Sequence, residues 1–418
     1  MSDIVSDQAA ISLPAGFRFG EIDPPFTRKA GVGTQPVTPL GALAHFVGRW
    51  HGDGFNTIFR PDNKATPTSS TLPHPLPPSD NILELNLTTE SLTFSPSLGD
   101  VPNRGTTPQG DIFLNGVPYL QAITDVTDPD PSKRPGIHVE PGLWMVVPPT
   151  STPGEGITIT RMASIPHGTT IMAQGTSKDI AGAPNIPVVK ITPFTVNGSQ
   201  AANAIPFASQ TASNAQTARL PQDLSAFIAS GRITQTLLDD PNAFLRNRLQ
   251  KQKIIATTEI KISTQPGKPI FGGPAAATPL FGGGTDNIAF LLGDKTQPLP
   301  QKPNAHAIQM EATFWVETVE HTVVLPVPTP GHAPITTVQP TPPFPGQKVP
   351  SLVVDPSLKL TAPLKFTFTS TQIQYSQVVM LNFFGLSWPH VSVATLVPAD
   401  PITLPPAVWA KLVGLKPH

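Results

Sequence analysis

His138 and Glu140 stand two residues apart in the stretch 136–147, Gly-Ile-His-Val-Glu-Pro-Gly-Leu-Trp-Met-Val-Val. Successive side chains of an extended strand point to opposite faces, so these two share one face. An imidazole beside a carboxylate suits a metal pair or a proton relay. It suits a satisfied polar cluster near the end of a sheet equally well. His167, in Ile165-Pro166-His167-Gly168, falls at a predicted hairpin tip, where it faces either a ligand or solvent. Trp50, Trp144, Trp315 and Trp388 either line a planar pocket or fill the core of a small barrel. Hydrolytic and nucleotide chemistry has no support, because neither G-x-S-x-G nor H-E-x-x-H occurs. The run Phe281-Gly282-Gly283-Gly284-Thr285 lacks the Lys-Ser or Lys-Thr pair of a phosphate loop.

The elements that position these residues must be mostly β. Of 418 residues, 53 are proline and 32 glycine, which denies long helices to most of the chain. Only 13% are charged, about half the usual share. With 27 basic and 28 acidic residues there is no excess charge to hold a nucleic acid or an anionic membrane. The chain contains no cysteine, so disulfides, thiolate metal sites and cysteine nucleophiles are all removed. Met1 to Gly20 has no basic start followed by an apolar run, and nowhere do about twenty apolar residues succeed one another. A soluble, cytoplasmic protein is expected; nothing in the sequence sets its oligomeric state.

Prolines 14, 24, 25, 36 and 39 make residues 1–39 an irregular arm. From 40 to 178 one or two helical turns at 40–47 precede strands at 49–60, 82–87, 92–94, 112–127, 136–147, 157–164 and 169–175, the rhythm of an antiparallel meander. Gly52 and Gly54 inside the first strand mark tight curvature or close backbone approach. Residues 179–306 break the rhythm and read as an insertion with short helices. Asp240-Pro241 opens the clearest of these, Phe244, Leu245 and Leu249 recur at helical spacing, and a strand follows at 253–263. Strands resume over 307–397, interrupted by an exposed proline-rich loop at 326–350, and 398–418 is a tail. Eight to ten strands belong to the meander.

Three separated segments resemble one family. Gly48-Arg49-Trp50-His51-Gly52-Asp53-Gly54 looks like the G-x-W-x-G-x-G opening strand of the nitrobindins, haem-binding β-barrels related to the fatty-acid-binding calycins. Ile137-His138-Val139-Glu140-Pro141-Gly142-Leu143-Trp144 is similar to the family's mid-barrel strand, where a His-x-Glu-x-Gly step precedes an aromatic residue. His390-Val391-Ser392-Val393-Ala394-Thr395-Leu396 resembles its last strand. The likeness covers 42–178 and 307–397. It departs at Val397-Pro398, where the family has a charge-rich end, and at the insertion.

The resemblance implies a calycin-like antiparallel barrel of about ten strands, with the insertion on one rim and the first strand beside the last. It also implies haem b, its iron bound by Nε2 of a neutral His390, with Trp50, Trp144 and Trp388 around the cofactor. His138, Glu140, His167 and Arg161 become the polar pocket groups. Peroxynitrite isomerisation or nitric oxide binding would follow. Peroxidase turnover would need a distal acid–base group from those four, none of which has a recognisable spacing. Without iron, His390 would cap the start of its strand. The alternative of a different class is a non-catalytic carrier of a fatty acid or other apolar molecule, which needs only an apolar cavity and one or two polar anchors.

Overall fold

Ten long strands follow one another around a closed barrel in a computed structural model: β1 Gly48–Arg60, β2 Ile82–Phe94, β3 Ile112–Asp125, β4 Gly136–Val147, β5 Thr158–Ser164, β6 Thr169–Ala181, β7 Lys253–Ser263, β8 His306–Leu325, β9 Leu364–Phe383 and β10 Leu386–Pro398. Residues 38–412 are described except 66, 68–71, 80, 273–278, 280–281, 294–295, 297–303, 328–334 and 357; Ile11, Leu13, Pro14, Phe17 and Phe19 are described as well. The irregular arm expected over 1–39 therefore lies almost wholly outside the described residues. Each strand pairs antiparallel with the next, and β10 returns to β1, with Trp50 opposite Pro398 and Asn56 opposite Ser392. Closure leaves the barrel no free edge.

Two sequence expectations need correction. Residues 253–263, assigned above to the insertion, form β7, a stave of the barrel between β6 and β8: Ile260 sits opposite Ser177 on one side and Phe314 on the other. The chain leaves the sheet after Ala181, travels through short helices and returns to the adjacent place, so neighbours in space are distant in sequence. Runs 82–87 and 92–94 are one strand. Thr88, Thr89, Glu90 and Ser91 hide its middle from an apolar pattern, although Thr88 and Glu90 are buried.

The excursion between β6 and β7 packs against the barrel. Leu237, Leu238, Phe244 and Leu245 share one core with residues of the staves, and the Gln374 amide donates to the Leu245 carbonyl at 3.2 Å. Its loops wrap the buried Arg219 guanidinium, which donates to the carbonyls of Ser209, Thr211, Ala212, Asn214, Pro221 and Gln222. In the described part of 326–350, Thr337–Val338 pairs only with Leu352–Val353, outside the barrel, as expected where proline removes ladder donors. Residues read as a tail include a helix, Pro406–Leu412, whose Trp409 packs with Val323, Leu325, Phe366 and Phe368 at the far ends of β8 and β9. Among the described residues no helix is long and apolar enough to cross a membrane.

One end of the barrel is plugged. The 3-10 turn Gly41–His45 carries Phe46 inward, where Trp50 Nε1 donates to its carbonyl at 2.7 Å and its ring meets Trp144 edge-on at 5.5 Å. At the seam between β1 and β10 two glycines allow close backbone approach. A Cβ at Gly52 would lie 1.9 Å from the Thr395 carbonyl oxygen, and one at Gly54 2.4 Å from that of Val393. Only glycine tolerates this approach. Gly52→Ala should therefore cost about 1–3 kcal/mol or more, whereas Gly110→Ala, with open space around it, should stay within about 0.5 kcal/mol. Urea unfolding midpoints of the two variants check the contrast.

Candidate functional site

Three layers fill the barrel from the plugged end upward. Trp50, Phe94, Trp144 and Phe314 pack the floor. Above them lies a polar layer, and above that a cavity of about 270 Å³ whose wall includes Ile58, Ile123, Ile165, Val379 and Leu381. His138, His167 and His390 all face this one cavity.

The polar layer is built on an ion pair. Arg161, from β5, donates through its NH2 to Glu140 Oε1 on β4 at 2.5 Å, through Nε to the Tyr119 hydroxyl at 2.9 Å, and through NH1 to Gln377 Oε1 at 2.7 Å. The Tyr119 hydroxyl in turn donates to Glu140. Gly142 makes this possible: a Cβ there would strike the Tyr119 ring at 2.4 Å, so the glycine lets the ring lie across β4. Burial pushes the Glu140 carboxyl up, but the Arg161 guanidinium and hydrogen bonds from His138 and Tyr119 outweigh it and hold the group at about 2. Glu140 is therefore a carboxylate. Its Oε2 accepts from His138 Nε2 at 3.1 Å, and since a carboxylate only accepts, that nitrogen carries hydrogen.

A second cluster stands beside the first. Glu90 accepts from the Tyr375 hydroxyl at 2.7 Å and from Gln121 Nε2 at 2.6 Å. Burial raises its pKa to about 7, with those two bonds opposing the rise only in part.

His390 belongs to a third arrangement, in which every orientation follows from the one before. Asn86 Nδ2 donates to the Asp125 carboxylate at 3.0 Å, so Asn86 Oδ1 faces the other way and accepts from Asn56 Nδ2 at 3.0 Å. Asn56 must then present Oδ1, which accepts from Ser392 Oγ and from His390 Nε2, each at 2.8 Å. The imidazole is thus the Nε2–H tautomer, with its lone pair on Nδ1. Burial, then the nearby His138 and His167, lower its pKa to about 3, so it is neutral.

Of the residues singled out from sequence, His138, His167 and His390 are brought together at the cavity, with Glu140 and Arg161 directly beneath. The three tryptophans are elsewhere. Trp50 and Trp144 belong to the floor, and Trp388 stacks on Phe383 at 4.6 Å against Phe59 and Phe207. Asn56, Glu90, Gln121, Tyr375 and Gln377 were not foreseen. They come from four different strands, with no shared spacing, although polar residues at alternate positions of β2 and β9 (Thr88 and Glu90; Tyr375 and Gln377) carry a faint signal.

Haem b asks this wall for a neutral imidazole with an uncommitted Nε2. His390 is neutral, but its Nε2–H is committed to an amide oxygen that is itself locked by Asn86 and Asp125, and the aromatic side chains expected around a macrocycle are in the core. The donor set does not fit axial ligation through that nitrogen. Among the described residues no group of three or more histidine, aspartate or glutamate side chains is spaced for a bare metal ion either.

No family model matches the chain, and no curated protein matches it. Among solved structures, the crystal structure of Rv2717c from M. tuberculosis matches at 10% identity over 87% of this chain and 100% of that one, with a TM-score of 0.32. A likeness that weak carries no argument about this protein.

The two carboxyls give opposite pH signatures. Folded Glu90 keeps its proton up to about 7, while the unfolded side chain releases it near 4.5. The folded state then binds more protons, so stability falls by roughly 3 kcal/mol as pH rises through that window. Glu140, depressed to about 2, contributes stability above about 4.5 that disappears as pH falls towards 2. Burial raises Glu317 to about 8 as well, so Glu90→Gln should reduce the fall on the neutral side by roughly 3 kcal/mol without abolishing it and leave the acid limb in place, as read by denaturant unfolding across pH.

Proposed function

We propose that the barrel is a non-catalytic carrier of a small, largely apolar molecule with one polar end. The observation that supports this is the cavity itself: an aliphatic wall over a polar layer that offers one uncommitted amide. Arg161 fixes Gln377 Oε1 inward, so Gln377 Nε2 is turned away from it, and it has no hydrogen-bond partner among the described residues. A mostly apolar surface interrupted by placed polar groups, here also Asn56, His138, His167 and His390, is what small-molecule sites present. A cavity of about 270 Å³ is close to the lower end of the range for small-molecule pockets, which suits a small occupant such as a substituted aromatic ring.

The nitrobindin resemblance would make the occupant haem b, and the activity peroxynitrite isomerisation, nitric oxide binding or peroxidase turnover. All of these run through His390 Nε2, and the Asn56 bond argues against them. Haemin titration should accordingly give the same absorbance change with wild type and His390→Ala; a Soret band that His390→Ala abolishes would restore the haem proposal. In equilibrium dialysis, 4-nitroanisole should bind saturably at one site, and Val379→Trp, which fills the cavity, should weaken that binding at least about tenfold, or 1.4 kcal/mol. Absence of saturable binding to the wild type sinks the carrier proposal.

A further inference from the structure

His138 and His390 face one cavity and carry their hydrogen on the same nitrogen, yet their partners differ in charge. His390 Nε2–H meets the neutral amide of Asn56. A proton added to its Nδ1 would create a buried cation with no anion against it. His138 Nε2–H meets the carboxylate of Glu140, so a proton added to its Nδ1 creates an imidazolium already facing a negative charge, the arrangement that makes a histidine a good base. The charge of the partner, a carboxylate for His138 and a carboxamide for His390, marks His138 as the ring that can take the proton. Gln377 lines the same cavity, and its Nε2, with no hydrogen-bond partner among the described residues, can serve an oxygen there.

From this geometry we infer that the cavity takes up a small weak acid, of phenol or enol type, as its anion. The acidic O–H proton passes to His138 Nδ1, and the resulting oxyanion accepts hydrogen bonds from His138 Nδ1–H and Gln377 Nε2. The balance is complete within the site: the ligand loses one proton, the imidazole gains it, and no other bond changes. The inference rests on the cavity being a ligand site, as proposed above.

The other charged groups around His138 leave it this role. Arg161 and His138 share the one Glu140 carboxylate, on Oε1 and Oε2 respectively, so the charge of the imidazolium is balanced by the bound oxyanion, and Tyr119 remains a neutral phenol because burial drives its pKa well up. His167, whose ring stands edge-on to His138 at 5.2 Å, is held down by burial and by His138. Glu84 pairs with Arg60 at 3.0 Å, Asp125 is engaged by Asn86, and Glu90 is engaged by Tyr375 and Gln121.

The test uses the full chain with 4-nitrophenol, which absorbs in the visible only as its anion, and 4-nitroanisole, which has no proton to give. One pH unit below the free phenol's own pKa, wild type should bind both, and the bound phenol should show its anion band, ionising about tenfold more readily than in water, a shift of one pKa unit. His138→Phe, its fold confirmed by circular dichroism, should still bind 4-nitroanisole but leave bound 4-nitrophenol colourless. His138→Gln serves the same purpose should the larger ring disturb packing. If wild type binds both probes and the phenol stays neutral, or if the anion band survives loss of His138, the proton-transfer inference is overturned while the carrier proposal stands. If neither probe binds, both fall together.

Discussion

A buried ion pair, Arg161 on Glu140, governs what the inside of this barrel can be. Withdrawing two charges from water costs several kcal/mol per ion, and only good geometry with every remaining lone pair and proton engaged offsets that cost. Here the Tyr119 hydroxyl, the Gln377 amide and the His138 ring supply those partners, while the rings of Tyr119, Trp144 and Phe314 lie within 5.6 Å of the guanidinium carbon. The pair therefore recruits side chains from four strands into one layer. Below it the interior is aromatic and filled. Above it lies a cavity that none of the described residues fills.

Position within that layer gives identical residue types different properties. An imidazole anchored to a carboxylate and one anchored to a carboxamide are chemically distinct objects, although both are histidines facing one cavity. The same holds for carboxyls. Glu140 is acidic because a guanidinium lies against it, and Glu90, with only neutral donors in hydrogen-bond contact, keeps its proton into the neutral range. Burial acts on both; the formal charge of the nearest partner decides between them.

Much of the architecture was legible in the sequence because it rests on local rules. Alternation exposed most of the staves, Gly52 and Gly54 announced a close seam, and the two-residue step from His138 to Glu140 placed both on one face. What stayed hidden depends on pairing between distant segments. The strand Lys253–Ser263 was visible as a strand, but its place between β6 and β8 is a property of the closed sheet. Asn56 is an unremarkable polar residue until closure sets it against His390, and Gln377 gains its meaning only from Arg161 across the interior. By type Trp50 and Trp144 suit a pocket or a packed core equally, and the plug formed by Phe46 draws them to the floor.

The seam also orders events in time. Nine of the pairings join staves that succeed one another along the chain, so they can be laid down progressively, most after a short loop and the one between β6 and β7 after the long excursion from Ala181 to Lys253. The tenth joins the two ends, and Asn56 meets His390 across 334 positions. Until that last ladder zips, His390 has no amide to choose its tautomer and the cavity lacks one side. The binding site is thus a product of completion: a partly assembled chain, however much sheet it has formed, presents no competent pocket to sequester a ligand prematurely.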